Sequence, residues 1–521
     1  MPSARFQPSF AAGVLGPGLH GRVDVAKYDV GLKVGKNVFI HAHGGVSNRA
    51  GTEFICEVME SNKYHRLIPF ERDEAECYVM LMGDQKMKII DDGSVVEISP
   101  GVDYNPSTPF PTADLEDLSF VQSIDVMFFA HQRHFPQKMS RMGATSWTFA
   151  AIDIEPSLTA PTISGVTSDG SGSETYTYKV SPVTDGVEGF ASSEESVASA
   201  QDLSVSGAFN TISWGSTGAD EYNIYRERNG VFGYIGFTSD TIFIDDNISP
   251  DLTFTPVTSA DVFGTSDDYP ALVTLFQQRL VFANSANHPE TIWMSRTGDF
   301  ANFTKSRILK DDDRIELDIT GSLLNRIRGL TQMRELLVFT SSGEFTVNGP
   351  NGVMLATNPV QTQQGYSGSS GLAPLIVENT ILFVDRTGWS VRDLRYAFED
   401  DGYTGNDLTI FASHFFEGRT IRDWSYQKNP HSIVWAVLDN GKLLAFTYKR
   451  EHQVWAWTEM EIDGEVESVC TIPEGKEDSL YMIVKRTING DTKRYVERLH
   501  TRQFSDVTDA FFVDCGITYS G

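Results

Sequence analysis

The sequence predicts an all-β protein: a β-propeller of about six blades carrying an inserted fibronectin-like β-sandwich. Three observations lead there. Few windows repeat apolar residues at i, i+3, i+4 and i+7 without a glycine or a β-branched run intervening, so helices are not expected. Paired apolar runs joined at tight-turn residues recur every few tens of residues, as blades or sandwich hairpins do. The 44 Gly and 21 Pro of the 521 residues supply turns in plenty.

Residues 1–36 contain Pro8, Gly16, Pro17 and Gly18. These interrupt regular structure and suit an extended arm that docks on a neighbour and ties subunits together. Residues 37–155 are assigned to the first part of the propeller, with CYVMLMGDQKMKII (77–90) as a hairpin turning at Gly-Asp. Residues 156–257 shift to Ser, Thr and Gly between Pro156, Pro161, Pro250 and Pro256, and read as the inserted sandwich. Within it TYTYKVSPV alternates with period two, and Trp214 and Tyr222 are the expected core aromatics. The strand order departs from a fibronectin type III module, because YTYKV precedes the Trp strand here. Residues 258–521 complete the propeller with three more hairpins, ELLVFTSSGEFTVNG (335–349), SIVWAVLDNGKLLAFTY (432–448) and SLYMIVKRTINGDTKRYVERL (479–499). Asn or Asp before Gly tolerates the positive φ such turns need. Roughly 380 residues remain for blades of about 40–65 residues, which allows six to nine. Six is preferred because 100–120 and 350–372 read as long loops.

Charge narrows the function. Lys and Arg total 42 against 70 Asp and Glu, a net charge of −28. That balance argues against broad electrostatic binding of nucleic acid or an anionic membrane. Cys56, Cys77, Cys470 and Cys515 lie far apart without CxxC spacing and read as reduced core residues. No run approaches 18 apolar residues, and Pro and Gly break the N-terminus where a signal peptide needs a continuous apolar stretch. Neither a membrane span nor export is expected.

Chemistry-bearing motifs are scarce. There is no GxxxxGK[ST], HExxH or GxSxG, so these common enzyme signatures are absent, and no catalytic residue and no cofactor are assigned. His41 and His43, with His131 and His134, could form a two-plus-two metal site, but read better as satisfied strand and loop histidines. The acidic run Asp311, Asp312, Asp313, Glu316 and Asp318 lacks the glycine and distal Glu of a calcium loop and reads as a solvated turn. SRTGDF (295–300) has the residues of an Asp-box turn in the wrong spacing. The basic segments KSRILK and RYVERLHTRQF are interrupted by acids and read as solvated strand faces. YPALVTLFQQRLVFA reads as one strand, in which Arg279 is a lone cation among apolar residues and is expected to be ion-paired inside or beside a blade.

The N-terminal stretch FQPSFAAGVLGPGLHGRVDVAKYDVGLKVGKNVFIHAHGGVSNRAGTEFI carries the most specific pattern. Gly21, Arg22, Asp24, Tyr28, Gly31, Asn37, Gly44, Gly45, Arg49, Gly51 and Thr52 follow at the spacing of the nozzle, or tail tubular protein B, family of short-tailed bacteriophages, which this segment resembles. The blocks RLIPFERDEAECYVMLMGDQKMKII, PQKMSRMGATSWTF, GADEYNIYRERNGVFGYIG, YPALVTLFQQRLVFANSANHPETIWMSRTGDFANF and LLVFTSSGEFTVNG extend the resemblance, in order, over nearly the whole chain. The usual Arg-Pro-Gly is Arg49-Ala50-Gly51 here. The resemblance implies a non-enzymatic virion tail subunit that assembles in the bacterial host cytoplasm. A homo-hexamer would extend the DNA-ejection channel below the portal and the adaptor (head-to-tail connector) ring and retain the packaged genome. Its partners would be that adaptor, tail fibres or spikes, and the genomic DNA passing through the lumen. Many relatives continue into another small β-domain where this sequence ends in DAFFVDCGITYSG. The alternative is a propeller enzyme or adhesin acting on host surface glycans.

Overall fold

The computed structural model describes residues 7–73, 76–154, 158–184, 186–257, 262–305, 309–321, 323–399 and 401–518. Pro156, one boundary of the expected insertion, lies outside them, as do residues 306–308 of the KSRILK segment. The described residues form a β-propeller with an inserted β-sandwich. The propeller has seven blades, one more than expected. The miscount has a local cause: the supposed loop 350–372 contains Val360–Gly365, the outer strand of the fourth blade.

Each blade is a four-stranded antiparallel meander. The first runs from Arg66–Glu71 to Ser94–Val95, the second from Ser119–Ser123 to Ser146–Ala151. The third begins at Leu272–Phe276, the fourth at Ile327–Gln332, the fifth at Leu375–Val377 and the sixth at Ile421–Gln427. The seventh joins Glu465–Glu474, Glu477–Ile488 and Asp491–Leu499 to Thr52–Glu57 from near the N-terminus.

Packing follows from the alternation. A strand buried on both faces offers one set of side chains to each neighbouring blade. Val79 and Leu81 face Cys470, Ile472 and Ile483 of the seventh blade, while Ile68, Phe70 and Met80 meet Met127, Phe129 and Met139 of the second. Similar buried clusters join the second to the third, the third to the fourth and the fourth to the fifth. Others join the fifth to the sixth and the sixth to the seventh, so the ring is closed by apolar contact throughout. Cys56, Cys77 and Cys470, remote in sequence, share the cluster between first and seventh blades, and burial pushes the thiols of Cys56 and Cys77 up to about 11.

The four expected hairpins form as read. At Asn489-Gly490 both turn residues have positive φ, 53° and 90°. YPALVTLFQQRLVFA, read as one strand, is instead two, Leu272–Phe276 and Arg279–Ala283. Its turn is Gln277-Gln278, with φ of 43° and 62°, and contains none of the residues that usually announce such a turn.

The inserted module packs a sheet of Ile163–Ser168, Asn210–Trp214 and Ile242–Asp245 against a five-stranded sheet centred on Ser171–Thr184 and Glu221–Arg228. Trp214 and Tyr222 lie in its core, rings 5.3 Å apart and edge-on, as expected.

The described part of the N-terminal arm lies on its own chain. Gly13–Val14 runs parallel to both Gly31–Leu32 and the outer strand of the sixth blade, with Gly13 opposite Trp457. A Cβ at Gly13 would lie 2.6 Å from the Trp457 nitrogen, so only glycine lets the backbones approach this closely. A hairpin, Val38–Ile40 with Val46–Asn48, follows and packs Ile40 on Val454 and Ala456.

Candidate assembly site

The residues singled out near the N-terminus fall into two groups. Asn37, Gly44, Gly45, Arg49, Gly51 and Thr52 surround the seam where the ring closes. Asn37 adopts a left-handed φ of 55°, and its side-chain oxygen accepts from Arg49 Nε at 3.0 Å and from the Glu461 N–H at 2.8 Å. Arg49 grips both oxygens of Asp514 at 2.7 and 2.6 Å and donates further to the carbonyls of Ala50 and Glu461. One guanidinium therefore joins the arm, the end of the sixth blade and the C-terminal segment. Its planar fork fits a carboxylate in a way lysine cannot. Gly51 donates to the Phe511 carbonyl at 2.8 Å, and a Cβ there would sit 2.2 Å from the Val513 oxygen. Thr52 Oγ1 donates to the buried Glu497 and accepts from the Cys515 N–H at 2.8 Å. Gly44 has φ +83° and packs on Ser9, and Gly45 lies under the His43 ring.

Gly21, Arg22, Asp24 and Tyr28 make the second group, an outward turn. Arg22 Nε donates to Asp24 at 2.8 Å in a fork-like pair, with the two side chains 56% and 62% exposed. Arg22 holds the Asp24 carboxyl down to about 2. Val23 between them is also exposed. Tyr28 sits half-buried in the short 3-10 helix Ala26–Val30. A charged pair flanking an exposed apolar residue is free to meet another surface.

The two-plus-two histidine arrangement does not form. His41 and His43 stack at 5.0 Å, with His431 edge-on to His41 at 4.7 Å, whereas His131 and His134 lie together in the second blade beside Asp114. Burial, then the positive potentials of His41, Arg502 and His43, push the His431 imidazole down to about 4. Burial and the same kind of neighbours lower His41. In unfolded chains imidazole titrates near 6.5. The unfolded state therefore takes up protons first, and stability is expected to fall as pH drops from about 6.5 to about 4, with no loss above that window. Urea midpoints at pH 7 and pH 5 should differ more for the wild type than for His431→Gln. Equal differences would show that the three rings do not sense acid.

Arg279 is buried, as expected, but no ion pair to it forms among the described residues. Among the described residues its guanidinium donates to carbonyl oxygens, Ser295 at 2.7 Å, Asp313 at 2.6 Å and Asp311 at 2.9 Å. The acidic run 311–313 is a turn with Asp311 and Asp312 exposed, as read, but with Asp313 buried. Its carbonyls receive Arg279, while the carboxylates of Asp312 and Asp313 pair with the buried Arg296. The segment RYVERLHTRQF is likewise consumed internally: Arg494 grips both oxygens of Glu467 at 2.6 and 2.9 Å, and Arg498 bridges Glu53 and Glu474. Asp514 and Glu461 were missed because nothing in the local pattern marks a residue whose partner lies hundreds of positions away, and Asp114 because nothing links it to a histidine 20 positions on.

No family model and no curated protein matches the chain. Among solved structures it is similar to AztD from Citrobacter koseri, with 9% identity over 78% of this chain and 88% of that one and a TM-score of 0.33. The Pan2 WD40 domain of Neurospora crassa gives 8% identity over 89% of this chain and 97% of that one, with a TM-score of 0.30. A luciferin-regenerating enzyme gives 10% identity over 65% and 96%, with a TM-score of 0.27. Overlaps this low carry no argument about function. The propeller rests on the strand pairing itself.

Proposed function

We propose that this chain is a structural subunit of a short-tailed phage tail, a ring-forming nozzle protein through which the genome leaves and which performs no catalysis. The observation that carries this reading is the ordered resemblance of the sequence to that family, densest at residues 21–52. The arrangement of those residues agrees with it: some close the propeller, and others form the exposed turn around Arg22 and Asp24, which would meet an adjacent subunit or the adaptor. The acidic composition adds support. A lumen that shares a net charge of −28 per subunit repels phosphate and lets DNA slide. Arg494 and Arg498 of RYVERLHTRQF, already paired with carboxylates, offer the backbone little grip, and the third arginine, Arg502, donates to Asn48.

The test is the mass of the assembled particle, by native mass spectrometry and electron microscopy, beside a glycan-hydrolysis assay. A six-membered ring without turnover is expected; a monomer that cleaves host polysaccharide overturns the reading. Deleting residues 1–36 should leave a cooperatively folded propeller, since Thr52–Glu57 is retained, while lowering the ring fraction. Duplex DNA should bind weakly even near 50 mM salt. Tight binding that falls steeply with salt, by a slope of several phosphates, would reveal a basic channel and sink the repulsive lumen.

A further inference from the structure

We propose that Asp114, His131 and His134 form a binding site for a first-row divalent cation, zinc foremost, at the turn between the second and third strands of the second blade. One donor atom from each residue lies within 4.8 Å of the other two, and this is the one such trio among the described residues. Imidazole nitrogen with carboxylate oxygen is a donor set that suits zinc, and three protein ligands leave a position open for water.

The trio is built on rigid parts. His131 and His134 are opposite each other in the ladder between Val126–His131 and His134–Gly143, with only Gln132 and Arg133 between them, so the turn itself brings the rings to 5.4 Å. Asp114 ends the short 3-10 helix Thr112–Asp114. That segment is pinned to the first blade by Arg66, which donates to the carbonyls of Leu115 at 2.8 Å, Glu116 at 3.1 Å and Leu118 at 2.8 Å. Thr112 adds a bond from its N–H to Asp84 at 3.0 Å. Phe110 lies edge-on to His134 at 5.2 Å and fixes the plane of that ring.

The details of protonation and access also fit. His131 Nδ1 accepts from the Arg133 N–H at 3.2 Å, so in the neutral ring the proton sits on Nε2, and an ion would take the Nδ1 lone pair in place of that N–H. Asp114 divides its oxygens: Oδ1 pairs with the Arg133 guanidinium, and Oδ2 lies 2.6 Å from His134 Nε2. Zinc bonds of about 2.0–2.1 Å put tetrahedral ligands about 3.3 Å apart, so a cation entering between Oδ2 and Nε2 parts them by well under an ångström. Asp114 and His131 are buried, while the His134 side chain is 21% exposed and gives the ion a way in. Arg133, 62% exposed, remains on Oδ1 as an outer partner that orients the carboxylate. The bound ion would clamp the segment before the second blade onto that blade's turn.

The experiment uses the untagged full chain, stripped with chelator and titrated with Co²⁺ and with Zn²⁺. One ion per chain is expected, with the visible ligand-field bands of four-coordinate cobalt and a Zn²⁺-dependent rise in the unfolding temperature. The double variant His131→Gln, His134→Gln should lose the bands and bind Zn²⁺ more than about tenfold more weakly. The variant His41→Gln, His43→Gln should match the wild type. If the first double variant does not fold, Asp114→Asn takes its place with the same expected loss. A wild type without saturable binding overturns the proposal, as does binding that survives the loss of these ligands or vanishes with His41 and His43.

Discussion

Arg49→Ala should lower the stability of the ring closure by about 2–4 kcal/mol, the cost of leaving a half-buried carboxylate without its partner, discounted for the part that water still screens. Arg49 is 10% exposed at its side chain and Asp514 is 26% exposed. The substitution strands both Asp514 oxygens, removes a donor from the Glu461 carbonyl and takes one of two donors from the Asn37 side-chain oxygen. Loss should appear first where those groups sit. Hydrogen exchange should accelerate in residues 37–57 and 500–518 before it does in the third to fifth blades, because local opening needs to break only contacts at the seam. Arg49→Lys keeps the charge but not the fork, and should fall between wild type and Arg49→Ala. A denaturation midpoint unmoved in both variants, with unchanged exchange, would show that the pair does not hold the seam.

Arg279→Ala should cost about 3–5 kcal/mol for a different reason. The side chain is 1% exposed, among the largest fully buried ones, and its removal leaves a cavity beside the carbonyls of Ser295, Asp311 and Asp313. Two terms are then mixed, lost packing and lost hydrogen bonds. Arg279→Met separates them, because methionine refills most of the volume and donates nothing. If the carbonyls matter, Met recovers less than half of the loss. Recovery to near wild type would mean that Arg279 acts as bulk. A loss below about 0.5 kcal/mol for alanine would contradict the burial itself.

These two arginines also mark what the sequence could reveal. The hairpins were legible wherever Asn, Asp or Gly occupied the turn, because positive φ has a residue signature, and the sandwich was legible from its Ser/Thr composition and its Trp214 and Tyr222. The Gln277-Gln278 turn was not, since tertiary packing imposed positive φ on residues that rarely announce it. Arg279 could be recognised as buried from its apolar neighbours, but its partners could not: they are backbone oxygens of a segment whose acidic side chains suggested solvent. The seam around Arg49 was flagged only through resemblance, as single residues. That they gather at one place depends on Asp514 and Glu461, which no local pattern connects to them. The histidines near Asp114 were noticed as a pair and matched with the wrong second pair, because spacing within a hairpin is readable and proximity between remote segments is not.

Closing the seventh blade with Thr52–Glu57 has a consequence for how the chain is made. Thr52 and Glu497, which bond across that sheet, are 445 positions apart. At about 5–20 residues per second, translation leaves the early strand without its mate for on the order of 20–90 s. During that interval it is an unpaired edge in a crowded cell, open to pairing with strands of other nascent chains. Six blades can close locally as they emerge, each from contiguous sequence. The seventh waits until Asp491–Leu499 has been made and must then pay the entropy of closing a loop of 445 positions. Completion of the ring is therefore a late event, timed by the ribosome.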